Sequence, residues 1–123
     1  GWFVVRANFT PALLHAAGVK FALTTNHPET PLLTLTMQAG LAVRGGLCPE
    51  AALKAITLYP AEIIGMADKI GSIEVGKDAD LAIWDGHPLK VRSSVLATFV
   101  KGELVFEFGC NCDWEDIEGC DCH

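Results

Sequence analysis

Apolar residues follow two different periods along this chain, and the change falls near Met66. Before that point they recur at helical spacing, as over residues 32–43, where every third or fourth position is apolar. After it, short apolar runs such as "ADLAIW" and "SSVLATFVKGELVFEF" are separated by glycine, lysine and aspartate. The pattern predicts a helical region followed by a small antiparallel β region.

The first 25 residues predict a strand, a helix and a second strand. The run "WFVVRANF" is apolar and β-branched, and "TPALLHAAG" has Thr10 as a helix N-cap, Pro11 in the first helical position and Gly18 at the C-terminal cap. The run "VKFALTT", residues 19–25, is nearly all apolar, as is typical of a parallel strand covered on both faces. The order is that of a βαβ unit with a right-handed crossover, which indicates the α/β class.

Glycine and proline divide the middle of the chain into three further helices. Gly45 and Gly46 end the helix that begins near Leu32, and Pro49 opens the next one. Pro60 interrupts that helix and can begin another, which ends at Gly65. In the β region, Lys101-Gly102 between two apolar runs predicts a tight hairpin turn.

Composition narrows the classes of function. The 123 residues suffice for one ordinary domain, and half of them are apolar. The formal charge is −6 with only 9 Lys and Arg, so we expect no nucleic-acid partner, which would require a basic face. Neither a transmembrane run nor a signal peptide is visible, and we expect a cytoplasmic protein without membrane contact. The chain begins with Gly1, which is compatible with a piece of a longer protein.

Asn26 and His27 are the candidate site, because they follow the apolar run at the point where a buried strand would end. Polar side chains at the carboxyl ends of parallel strands are where barrels place their catalytic groups. The alternative is local structure only, since asparagine favours turns and His-Pro can simply terminate a strand.

Three motifs in the second half carry a resemblance to a known family. "AITLYPAEIIG", "GSIEVGKDADL" and "WDGHPL" occur in order and at sensible spacing. Together they resemble the C-terminal end of the amidohydrolase superfamily, with the imidazolonepropionase-like metal-dependent hydrolases as the nearest group. The resemblance covers most of the chain, from about Thr10 to about Phe106.

The resemblance implies a fold and a domain division. It implies that residues 1–66 are the C-terminal part of a TIM barrel, with residues 19–28 as the eighth strand and its loop. Residues 67–108 would be the C-terminal share of a small flanking β-sandwich, and residues 109–123 a separate Cys-rich acidic tail. The fold class expected is therefore α/β, a C-terminal fragment of a TIM-barrel amidohydrolase with a small antiparallel β region.

The resemblance also implies metal-assisted hydrolysis, but this chain departs from the pattern. At the position of Asn26 the family usually has an aspartate that ligates a metal and takes the proton from the attacking water, with His27-Pro28 next to it. An amide is neutral and cannot act as a general base. The family's His-x-His pair has no counterpart among the four histidines, His15, His27, His87 and His123. We expect the isolated chain to be inactive, with a small-molecule substrate only if the rest of a barrel is supplied.

The tail lies outside the resemblance and has its own candidate chemistry. Two Cys-x-Cys pairs separated by seven residues, with His123 after them, could close a tetrahedral zinc site. The alternatives are an acidic tail without structure or adventitious disulfides. The fifth cysteine, Cys48, precedes a helix and is expected to be an ordinary thiol. The proposed metal ligands are Cys110, Cys112, Cys120 and Cys122.

Two functions follow from these observations. One is the C-terminal part of a metal-dependent amidohydrolase that cleaves amide or cyclic amide C–N bonds, and the other is a non-catalytic, self-associating domain with a Cys-rich metal-binding tail. A partial barrel leaves strand edges open, and open edges are templates for association, so we expect a homo-oligomer.

Overall fold

The computed structural model describes residues 9–109, which form helices followed by one small sheet. The predicted first strand and the Cys-rich tail lie almost wholly outside this range. The helices are α1 (Thr10–Ala16), a short 3-10 helix (Leu32–Thr34), α2 (Leu35–Arg44), α3 (Pro49–Ile56) and α4 (Leu58–Ile63). The strands are β1 (Leu81–Trp84), β2 (Val95–Val100) and β3 (Glu103–Glu107). The predicted change from helices to strands is confirmed.

Glycines end three of the helices in the same way, as predicted. After α2, the Gly46 amide donates to Val43 O at 2.9 Å and the Leu47 amide donates to Ala42 O at 3.0 Å. These two bonds form a Schellman motif, which satisfies carbonyls left unpaired at a helix end and requires a left-handed residue. Gly18 and Gly65 end α1 and α4 with the same pair of bonds, and all three glycines have positive φ.

The core lies between α2 and α3 and is built of small side chains. Leu47 packs there among four alanines that are almost fully buried, and no large side chain among the described residues is completely enclosed. Small residues let two helix backbones approach closely, so the helical layer is thin and tight. The four alanines are Ala39, Ala42, Ala51 and Ala52.

The sheet is antiparallel with the order β1-β2-β3, so each strand pairs with its neighbour in sequence. Lys101 and Gly102 connect β2 to β3 with φ of 50° and 82°, the left-handed pair that a two-residue type I′ hairpin requires. The carboxylate of Asp80 accepts a hydrogen bond from the Lys101 amide at 2.8 Å. The predicted hairpin is confirmed, and Asp80 anchors its turn.

Residues 19–25, predicted as a parallel strand, pair with no strand in the described part of the chain. The predicted neighbour in the βαβ unit, the first strand, lies almost wholly outside the described residues, so the βαβ unit stays a prediction. The Leu23 amide instead donates to Ala55 O at the end of α3, at 2.9 Å. We call residues 19–25 the edge segment.

Two helix starts differ from the sequence-based expectation. Phe9, not Thr10, occupies the N-cap position of α1, and no side chain caps that end. The helix α4 begins at Leu58, two residues before Pro60. Proline needs no amide partner in the first turn of a helix, so the helix can begin two residues before Pro60 and include it as its third residue. Among residues 9–109, no helix is long and apolar enough to cross a membrane.

Candidate functional site

The edge segment lies along the helical layer with every second side chain turned toward it. Phe21, Leu23 and Thr25 are half-buried, whereas Ala22 and Thr24 are exposed. The Phe21 ring meets Tyr59 of α4 edge-on, with centroids 6.5 Å apart and the planes inclined at 67°. A burial period of two is that of an extended chain with one covered face. The segment therefore has the side-chain pattern of a strand although it has no strand partner.

Asn26 and His27 follow the edge segment in a tight turn. The Thr30 amide donates to Asn26 O at 2.9 Å, and the Asn26 side-chain amide donates from Nδ2 to Glu29 Oε2 at 3.0 Å. Both candidate side chains are exposed, and the His27–Pro28 peptide bond is cis. The turn thus holds the Asn26 amide group in a defined orientation, with its Nδ2 committed to Glu29.

The chemistry available at this turn is limited to hydrogen bonding. The Asn26 Oδ1 can accept a hydrogen bond, but a carboxamide cannot take up a proton at neutral pH. Within residues 9–109 there is no group of three or more His, Cys, Asp or Glu side chains that could hold a metal ion. By themselves, the described residues of this turn therefore do not form a metal centre.

The other residues of interest lie in local turns or outside the described part of the chain. His87 Nδ1 accepts a hydrogen bond from the Leu89 amide at 3.2 Å, so this imidazole stabilises a local turn. Lys77 donates to Ser72 Oγ, and the Asp78 amide donates to Lys69 O, so both residues take part in local turn contacts. The four cysteines and His123 of the tail lie outside the described residues.

A hollow of about 160 Å³ brings together residues that the sequence gave no reason to associate. His15 of α1 and the exposed thiol of Cys48 line it together with Tyr59. Glu50 and Lys54 form an ion pair at its rim, at 2.6 Å. The hydrogen bond from Lys54 lowers the pKa of Glu50, and the hydrogen bond to Glu50 raises the pKa of Lys54. Only this pair was detectable from sequence, through its i,i+4 spacing.

A second cleft, of about 280 Å³, lies between the start of α2 and the loop after β1. Leu33 and Met37 form one wall, and Trp84 and Leu89 contribute to the other. Leu89 also packs against the helical core, and a side chain at Gly40 would meet Leu89 O at 3.2 Å. This cleft marks the junction between the helices and the sheet.

Comparison with known proteins shows which family this chain is similar to. The profile of the Amidohydrolase family matches residues 6–105, most of the chain. An imidazolonepropionase from Brucella anthropi is 37% identical over 109 residues, which are 85% of this chain and 24% of that protein. Amidohydrolase tasK from Hapsidospora irregularis is 28% identical over 95 residues, 77% of this chain and 10% of that protein.

The fold has a close counterpart among solved structures. An amidohydrolase from Thermotoga maritima MSB8 superimposes with a TM-score of 0.80 and 46% sequence identity, over 82% of this chain and 26% of that one. The chain thus spans about a quarter of the length of the Brucella relative and of this structure. The profile match, the sequence identities and the superposition agree, and the resemblance noted in the three motifs is confirmed: the chain belongs to the amidohydrolase family.

Proposed function

We propose that this chain is the C-terminal part of a metal-dependent amidohydrolase that hydrolyses the C–N bond of an amide or cyclic amide. The single observation that carries the proposal is the position of Asn26-His27, directly after an extended segment that lies on a helical layer, in a chain of this family. The imidazolone ring named in several relatives is a cyclic amide, and it is the first substrate to examine.

In the complete protein, the edge segment would be a strand of a parallel barrel. Three properties support this: its apolar sequence, its alternating burial, and the helices that cover one of its faces. The carboxyl end of such a strand faces the reaction centre of a barrel, which would place the Asn26-His27 turn there. Residues 67–108 would then contribute to a β-sandwich beside the barrel.

The described residues of this chain do not fit a metal centre on their own. The Asn26 side chain donates to Glu29, and within residues 9–109 no three His, Cys, Asp or Glu side chains lie close enough together to hold a metal ion. Other parts of the parent protein would have to hold the metal. The role left for Asn26 is to accept a hydrogen bond from substrate or from a water molecule, and His27 offers an exposed imidazole beside it.

A chimera tests the proposal directly. The matching 24% of the Brucella anthropi imidazolonepropionase is replaced by this chain, once with Asn26 and once as N26D, with N26A as the matched control. Turnover of imidazolonepropionate is measured in the presence of added divalent metal. We expect no turnover by the isolated chain, little by the Asn26 and N26A chimeras, and a gain of at least about 100-fold for N26D, the range that a positioned general base contributes.

Two results would count against the proposal. Hydrolysis by the isolated chain would show that it carries a complete site. A folded chimera in which N26D is no more active than N26A would show that position 26 has no part in the reaction.

A second candidate rests on the tail. We propose, as the alternative, a non-catalytic module in which Cys110, Cys112, Cys120 and Cys122 hold zinc, a metal for which four thiolates are a suitable set. Metal analysis of the purified chain should then give one zinc per chain under reducing conditions. The C110S/C112S double variant should lose it, and retention of zinc in that variant would exclude these cysteines as the ligands.

A further inference from the structure

We infer that Glu29 is a specificity-determining residue of the proposed site, and that its carboxylate selects cyclic amides that carry no anionic group. The inference rests on the proposed function, because it takes the Asn26-His27 turn as the edge of the reaction centre. It goes beyond that proposal by naming the class of substrate that the turn accepts.

The carboxylate of Glu29 is held beside the polar group that the turn presents. The Asn26 side chain donates from Nδ2 to Glu29 Oε2 at 3.0 Å, and the Thr30 amide donates to Asn26 O at 2.9 Å. The backbone bond closes the turn around Glu29, and the side-chain bond joins its carboxylate to the Asn26 amide. A substrate that reached the Asn26 Oδ1 would therefore lie close to a negative charge.

No lysine or arginine of the surrounding sequence offsets this charge. Residues 24–34 contain neither residue type, and the preceding Lys20 forms an ion pair with Glu62 of α4 at 2.6 Å. Among residues 9–109, no ion pair joins Glu29 to a basic side chain. Glu29 is exposed, so its charge acts on a ligand through water and is screened by salt.

This charge distinguishes between substrates that share the same ring. Imidazolonepropionate, the compound named in several relatives, carries a carboxylate that Glu29 would repel. Two unit charges about 4–10 Å apart in water change a binding constant by about two- to six-fold. The methyl ester of the same compound has the ring without the charge and escapes this repulsion. We therefore expect the turn to favour uncharged and cationic cyclic amides over anionic ones.

Equilibrium binding to the Asn26 chimera described above measures this selectivity without requiring turnover. The dissociation constants of imidazolonepropionate and of its methyl ester are compared at low salt and at about pH 8, where a free imidazole is neutral. E29Q should lower the ratio of the two constants, anion over ester, by about two- to six-fold, and E29K should lower it further. E29D keeps the charge and should keep the ratio. E103Q, the matched control on β3, should leave it unchanged.

Salt separates a charge effect from a change of shape. At about 0.5 M salt the Debye length is about 4 Å, so the effect of E29Q on the ratio should shrink. Circular dichroism verifies that each variant is folded. If the chimera does not fold, a graft of residues 25–30 alone into the intact Brucella enzyme allows the same comparison.

The outcomes distinguish this inference from the proposed function. A lower ratio in E29Q and E29K, with E29D unchanged, supports the inference. An unchanged ratio in E29Q, or the same change in E29D and E103Q, would overturn it, while turnover by the N26D chimera would still support the hydrolase. A folded chimera that binds neither compound would overturn the inference and count against the proposed function as well.

Discussion

The helical region and the sheet of this molecule differ sharply in how much of themselves they bury. All seven buried apolar side chains of the described chain lie in residues 39–61, in or between α2, α3 and α4. None lies in a strand, and every residue of β3 is exposed. The helices therefore form a small core of their own, whereas the sheet is a single layer. The stability of the sheet depends on its turns and on any surface that packs against it. The difference is what we expect of a family member that spans about a quarter of its relatives.

Truncation of one leucine in each region gives the largest predicted contrast. Leu47 is 2% exposed at the centre of the helical core, and Leu104 of β3 is 50% exposed. L47A should lower the free energy of unfolding by about 2–5 kcal/mol, because it removes buried methyl groups and leaves a cavity. L104A should cost about 1 kcal/mol or less, since much of that side chain already contacts water. Urea denaturation followed by circular dichroism measures both.

Similar losses in the two variants would contradict the difference in burial between the helical core and β3. They would mean that in solution β3 is covered as well as the helical core is, and that its exposure is not a property of the chain under the conditions of the measurement.

Two glycines with positive φ lie between α4 and β1 and differ in how closely they pack. Gly71 has φ of +95°, and a Cβ there would lie 2.7 Å from Ala61 Cβ and 3.1 Å from Thr57 O. Gly76 has φ of +92° but nothing within 4 Å. G76A should cost about 1–2 kcal/mol for the left-handed backbone alone. G71A should cost about 2–4 kcal/mol, because the clash adds to the same backbone term.

Urea denaturation of both variants separates the cost of the left-handed backbone from the cost of the steric clash. The difference between G71A and G76A isolates the close packing of the Gly71 turn on α4. Equal values would show that this turn does not pack on the helix in solution.

The two regions also differ in what their sequence could predict. The hairpin and the glycine-terminated helices were predictable, because Lys101-Gly102, Gly18, Gly46 and Gly65 act locally through backbone conformation. The structure of the edge segment was not predictable, because an apolar run of this kind forms a strand only if another strand lies beside it. Its alternating burial depends on which elements pack beside it, and no local pattern encodes them.

The candidate site shows the same limit. Asn26 and His27 were identifiable from their place after an apolar run, and the turn that follows them is formed by local bonds to Glu29 and Thr30. Their role in a reaction depends on groups distant in sequence, so it remains a prediction. The hollow between His15 and Cys48 was not predictable, because tertiary packing alone brings residues of α1 and α3 together.

The smallest predicted effects compare one carboxylate in each region by its titration. Lys54 lowers the pKa of Glu50 from its ordinary value of 4.5 through a hydrogen bond within α3. Ser72, followed by Lys77, lowers the pKa of Glu74 in the loop that leads to the sheet. A lowered pKa in the folded state means that each interaction is fully stabilising above pH 4.5 and is lost as the pH falls through the folded-state pKa. Carbon-detected NMR titration of the two side-chain carboxyls measures both directly.

The substitutions that test these causes should act independently. K54M should return the pKa of Glu50 toward 4.5 and leave Glu74 unchanged, and S72A should raise the pKa of Glu74 while it leaves Glu50 unchanged. K54M should also flatten the loss of stability between pH 5 and pH 3, but only slightly, because exposed ion pairs contribute little. A shift of Glu50 in S72A would mean that the loop and α3 are coupled electrostatically. The helical region and the approach to the sheet would then not be the separate units that their burial indicates.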